Sequence, residues 1–186
     1  MKKLVLIIVI VACANMVHAQ SFQPGVKAGA NFASLNGDGA DALDGRTSLH
    51  FGAVLNFGFS ELFAIQPEVL YSSQGYKYSS EAGDVAVALD YLNIPVLADI
   101  TVAEGLSLQG GPQIGINISS KAKFDGESFD VDGIETVDLG VGIGAQYKLP
   151  MGLFFQARYV IGFTDIADGA ESKNAVIGIS AGWFFN

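Results

Sequence analysis

Residues 51–75 read FGAVLNFGFSELFAIQPEVLYSSQG, two alternating stretches separated only by a short reversal at Ser60-Glu61. The first starts just upstream. Leu49, Phe51, Ala53, Leu55, Phe57 and Phe59 share one face, opposite His50, Gly52, Val54, Asn56 and Gly58. In the second, Phe63, Ile65, Pro67, Val69 and Tyr71 oppose Gln66, Glu68, Ser72 and Gln74. A period of two is that of a β-strand, and so tight a reversal makes the pair a hairpin. One face is bulky and apolar. The other is small or polar, with a glutamate in its middle.

The same pattern recurs along the chain, and no helical pattern of useful length follows residue 20. Residues 24–34 set Val26, Ala28, Ala30 and Phe32 against Lys27, Gly29 and Asn31. Residues 106–118 set Leu106, Leu108, Ile114, Ile116 and Ile118 against Ser107, Gln109, Gly111, Gln113 and Asn117. Residues 137–147, 153–164 and 175–185 repeat it, with Asp138, Gln156, Arg158, Gly178 and Ser180 on the small or polar side. The stretch 85–99 is less regular. Leu92, Ile94, Val96 and Ala98 oppose Tyr91, Asn93 and Asp99, but the upstream alternation is out of step, which predicts a bulge. Pro67, Pro95 and Pro112 lack the N–H of a ladder, so local bulges are expected there too.

These eight stretches are joined alternately by long and short connections. Residues 35–47, 77–84, 119–134 and 165–173 are rich in Asp, Gly and Ser; Ser60-Glu61, Thr101–Gly105 and Leu149–Gly152 are short. This is the layout of an all-β, eight-stranded antiparallel transmembrane β-barrel, with bulky side chains facing lipid and small polar ones filling a narrow bore. A soluble sandwich or a secreted ligand-binding barrel is the alternative, but it would carry charge outside, and so many Phe and Leu side chains would overfill its interior. Tyr71, Tyr76, Tyr78 and Tyr91 group towards the long-connection end. Phe59, Phe63, Tyr147, Leu153, Phe155, Trp183 and Phe185 group towards the short-turn end, as two interfacial girdles would.

The chain opens MKKLVLIIVIVACANMVHAQ: two lysines, an apolar run and a small-residue exit at Val17-His18-Ala19. That predicts a signal peptide over residues 1–19 and a barrel domain over 20–186, in the cell outer membrane. A lipoprotein cleavage box ending at Cys13 is a second reading of the same segment. Removal of residues 1–19 leaves eight basic against nineteen acidic residues, a net charge of −11. Such a surface disfavours nucleic acid. The only cysteine, Cys13, leaves with the signal, so no disulfide is expected in an exported protein.

Few residues remain for chemistry. Gly140, Gly142 and Gly144 resemble a dinucleotide loop but sit within a strand. Asn117-Ile118-Ser119 is a glycosylation sequon by pattern alone. Two acidic segments, with Asp38, Asp41 and Asp44 and with Asp125, Glu127, Asp130, Asp132 and Glu135, read either as solvated loops or as weak cation sites. Ser128, Asp130, Asp132 and Gly133 fit part of a calcium loop, yet Leu139 stands where its bidentate glutamate belongs. His50 on the lumen face has Ser48, Ser72 and Asp138 as conceivable partners in a hydrolase, without a glycine elbow or second histidine. No catalytic, cofactor-binding or metal-binding residue is therefore assigned, and no cofactor or enzyme activity is expected. For the inward charges, Arg158 with Glu68 or Asp138, and Lys27 with Glu68, are the expected ion pairs; separate hydration is the alternative.

The segments GVKAGANFASLNG (25–37), IQPEVLYSSQG (65–75), YLNIPVLAD (91–99), LSLQGGPQIG (106–115) and GLFFQARYVIGFTDI (152–166) resemble the PorT-like outer-membrane β-barrel domain of Bacteroidetes. The resemblance spans the chain beyond the signal and implies a single outer-membrane barrel. It implies no biochemistry for individual residues, and Asn93 departs from the Glu common in similar sequences. The expected partners are outer-membrane lipid and an unidentified surface or secretion-system protein, with the barrel itself monomeric. A structural or surface-binding role leads. A narrow pore or a transport or secretion accessory is the alternative.

Overall fold

Tight reversals at one end of the molecule set where the strands begin. The computed structural model describes residues 21–37, 43–80, 83–124, 127–131, 133–166 and 172–185. Nine strands form: β1 (Ser21–Gly37), β2 (Asp44–Gly58), β3 (Phe63–Ser80), β4 (Gly83–Ala103), β5 (Leu106–Phe124), β6 (Glu127–Asp130), β7 (Val137–Lys148), β8 (Leu153–Asp165) and β9 (Ser172–Phe184). Eight pair antiparallel in a ring, β1-β2-β3-β4-β5-β7-β8-β9, and β9 returns to β1. Closure lets the wall satisfy its own backbone groups, which a bilayer requires. The predicted eight-stranded barrel is thus present. The short β6 pairs only with the outer part of β5 and stands outside the ring.

The turns are short, as the sequence implies, although the β2–β3 reversal takes residues 59–62 rather than Ser60-Glu61 alone. The Ser60 hydroxyl accepts the Leu62 and Phe63 amides at 3.3 and 3.1 Å, fixing the β2–β3 reversal. Glu104-Gly105 joins β4 to β5 with Gly105 at φ 73°, in the left-handed region that favours glycine. Gly152 does the same before β8 at φ 93°.

The two faces separate as the alternation predicts. Leu49, Phe51, Ile143, Phe155 and Ile179 are among the large apolar residues exposed on the outside, and Lys27, His50, Glu68, Gln109 and Arg158 are among the polar ones buried in the bore. Phe57 also lies outward, its ring 5.1 Å from that of Phe22, but one residue from the end of β2 and so near an interface.

Several expectations need correction, and most share one cause. A strand needs about 9–11 residues to cross a bilayer, whereas β3, β4 and β5 have 18, 21 and 19. Residues 77–84, expected as a long connection, are largely strand, with only 81–82 between β3 and β4. The expected 119–134 loop begins as the β5–β6 hairpin. At the end of the barrel away from the short turns the polarity of the wall inverts. Val87, Leu89 and Tyr91 point inward into an apolar cluster, against which Tyr76, Ala122 and Ile134 pack. Tyr76 and Tyr91 therefore belong to this cap rather than to an outer girdle.

The out-of-step stretch of β4 has the same origin. Its burial alternates without interruption from Val85 to Asp99, so β4 does not bulge in this stretch; its upstream inward side chains are simply apolar, and its own unmatched residue is Val102, near the short turn. The extra residue lies on the partner strand. Asp90 opposes Ser119 and Tyr91 opposes Asn117, leaving Ile118 unmatched on β5. Nor do the prolines shift the register, which is the same on both sides of Pro67, Pro95 and Pro112. The expected signal segment with Cys13, and Asp38, Asp41, Asp125 and Asp132, lie outside the described residues.

Candidate functional site

Charge inside a narrow bore needs both a partner and room. Glu68 on β3 supplies the partner. Its two oxygens receive Arg158 Nη1 at 2.9 Å and Nη2 at 2.6 Å, a bidentate pair across the lumen. Lys27 Nζ lies 2.7 Å from Oε2, and Gln66 Nε2 donates to Oε1 at 2.9 Å. Asp138, the other expected partner of Arg158, instead accepts from Asn174 Nδ2 at 2.8 Å, in the upper part of the barrel.

Glycines provide the room. Arg158 is paired across the wall with Gly144 on one side and Gly178 on the other. Lys27 is likewise paired with Gly52 and Gly182. Each cation therefore emerges between two positions without side chains and can extend across the bore. The lumen glycines of the sequence have a specific purpose here, beyond a general need for small residues.

A row of amides continues the network towards the turns. Lys27 donates to Gln156 Oε1, Gln156 Nε2 to Gln109 Oε1, and Gln109 Nε2 to Asp99 Oδ2, each at 2.6 Å. Glutamine suits this position because each amide both donates and accepts. Below the row, Phe154 stacks on Phe184 at 4.6 Å with Val54 beside them, all fully buried. The bore is thus filled at three levels: an aromatic plug, a charged and amide middle, and the apolar cap around Leu89.

His50 lies just above the ion pairs. Its Nε2 is 2.7 Å from Ser180 Oγ and its Nδ1 2.8 Å from Asn31 Oδ1, and Asn31 Nδ2 donates to Ser72 Oγ at 2.9 Å. The sequence pointed to Ser48, Ser72 and Asp138 as partners. None of these bonds His50; Ser48 donates to the Ser73 carbonyl at 2.6 Å. Asn31 and Ser180 were missed. Their signal is Gly29, which pairs with His50 on β2 and with Ser180 on β9, so that the two side chains meet over a bare backbone.

Serine, histidine and asparagine here have the hydrogen-bond order of a nucleophile, a base and its orienter. Geometry alone does not make them catalytic. His50 and Ser180 are each only 5% exposed, and the adjoining cavity of about 40 Å³ has room for a few waters rather than an ester. The arrangement braces β1, β2 and β9. Among the described residues, no group of three or more His, Cys, Asp and Glu side chains is placed to hold a metal. Glu127 and Asp130 lie exposed on β6, and Asp44 opposes Lys77 at the start of β2.

The fold matches solved outer-membrane barrels. The chain is similar to Ail, the attachment invasion locus protein of Yersinia pestis, at 16% identity and TM-score 0.58 over 89% of this chain and 100% of that one. It is similar to Neisserial surface protein A at 12% identity and TM-score 0.62, with the same coverage of both chains. Identities this low show the shared fold alone. No curated protein sequence matches the chain. A family model described as the outer membrane protein beta-barrel domain matches residues 18–168, most of the chain. The protein therefore belongs to that family, and its place is the outer membrane.

Proposed function

We propose that the protein is a sealed, monomeric and non-enzymatic barrel, structural in the outer membrane and binding a partner through its surface-exposed rim. The filled bore supports this reading: among the described residues, Phe154 and Phe184 occupy it below, Glu68 with its two cations in the middle, and Leu89 and Tyr91 above. The extensions of β3, β4 and β5, with β6 alongside, face the outside of the cell, since short turns are periplasmic in barrels of this kind. Similarity to proteins named for attachment and for the bacterial surface is in keeping with a surface role. Within the family we place the chain in the PorT-like group of Bacteroidetes, on IQPEVLYSSQG and YLNIPVLAD. A surface or secretion-system protein is then the kind of partner to seek, by crosslinking in native outer membrane.

Single-channel recording of the refolded protein in planar bilayers tests the sealed bore. A silent bilayer at protein densities proven by recovery of the barrel is the expected result. Discrete, reproducible openings would replace this reading with that of a narrow pore.

A further inference from the structure

Between the ion pairs and the apolar cap lies the cavity of about 40 Å³ that adjoins His50. A single water needs about 10–15 Å³ by such a measure, so the space exceeds one water. Its wall has an asymmetry of charge. Lys27 and Arg158 both line it, whereas no carboxylate of the described residues does. Glu68 sits behind the two cations and is saturated, with Arg158, Lys27 and Gln66 all on its oxygens. Asp99 is bonded by Gln109 and Asp138 by Asn174, away from the wall.

Two cations thus share one carboxylate, and donor capacity is left over. Lys27 has three N–H groups, of which Glu68 and Gln156 take two. Arg158 Nε is buried without a partner, although the side chain is only 7% exposed. A buried charge without a counter-charge is costly, and a buried donor without an acceptor adds to that cost. Neutral hydroxyls and amides complete the wall, among them Ser180, Ser72 and Asn31. These can turn hydrogens towards an anion.

We propose that this cavity binds one small monovalent inorganic anion, of chloride size, as the counter-ion of the second lumenal cation. The site lies within the bore, and its occupant would lock Lys27 and Arg158 in the geometry that fills it. A bulky organic carboxylate such as gluconate is too large for a space of a few waters.

The test uses the complete mature barrel refolded in lipid. Its denaturation midpoint is measured against sodium chloride and, at matched concentration, sodium gluconate, whose anion the cavity cannot hold. Binding to the folded state alone predicts a saturating rise with chloride beyond that with gluconate. In parallel, crystals grown in bromide should show one anomalous peak inside the cavity, beside Lys27 and Arg158. Lys27→Met should abolish both the peak and the chloride-specific rise. Should that variant fail to refold, Gly178→Ala is the second probe: its added methyl group would lie 3.6 Å from His50 Cε1, next to the same space, and should weaken both signals. Equal responses to the two salts together with no internal bromide peak would overturn the proposal and leave the cavity to water.

Discussion

Arg158 and Glu68 meet across the barrel through two parallel hydrogen bonds of 2.9 and 2.6 Å, from strands that are not neighbours in the wall. The pair ties β8 to β3, and Lys27 adds β1. Replacing a whole buried ion pair by well-packed apolar groups is often neutral, but removing one partner strands the other and costs about 3–5 kcal/mol. Glu68→Gln, which strands two cations, should therefore lower unfolding stability in lipid more than Lys27→Met, which strands none. Equal losses, read by denaturant titration, would mean that the carboxylate is not the centre of the cluster.

The outward face has its own gradient. Phe51 is exposed in the middle of β2, while Phe57 is close to its end. Phe51→Arg should cost about 2–4 kcal/mol, and Phe57→Arg about 0–1 kcal/mol, as expected for the midplane and the interface. Refolding titrations in lipid measure both. A larger loss at Phe57 would shift the membrane along the barrel.

Two glycines of β9 separate packing from mere smallness. A methyl group at Gly182 would run into the Phe154 ring and the Val26 carbonyl, whereas at Gly178 its nearest neighbour is 3.6 Å away. Gly182→Ala should destabilise by about 1–3 kcal/mol through overpacking of the plug, while Gly178→Ala should change stability by less than about 1 kcal/mol. Thermal unfolding of the two variants side by side is the check; a tolerated Gly182→Ala would mean that Phe154 does not fill the floor.

Ser180 is held by His50 in a sequestered site, so a fluorophosphonate probe should leave the folded barrel unlabelled. Mass spectrometry of the treated protein reports this directly. An adduct on Ser180 that disappears in His50→Phe would make the relay catalytic.

Much of this was legible in the sequence. Alternation told which residues face lipid, and Arg158, Glu68 and Lys27 were correctly placed in the bore. What alternation lacks is register. Ser180 meets His50 only because both are paired with Gly29, and Asp138 misses Arg158 because it lies higher in the barrel, beside Asn174. It also lacks the position of the membrane. Val87 and Leu89 turn inward on a β4 of 21 residues, about twice the length a bilayer needs, and apolar groups outside lipid seek the interior; read as membrane wall, the same residues suggested a bulge.

Topology follows from the extended end. Phe129 on β6 is 53% exposed, so chymotrypsin added to intact cells should cleave after it if the rim faces outward. Cleavage confined to permeabilised cells would invert the barrel.

The proposed sealing of the bore rests on the central contact, and a double-mutant cycle on Arg158→Met and Glu68→Gln measures that contact most directly. Unfolding of the four proteins in lipid gives the coupling free energy. Charges in contact should couple by more than about 0.5 kcal/mol, the scale above which neighbouring residues depart from additivity. Additive losses would contradict the account, for they would mean that the two side chains do not meet across the bore.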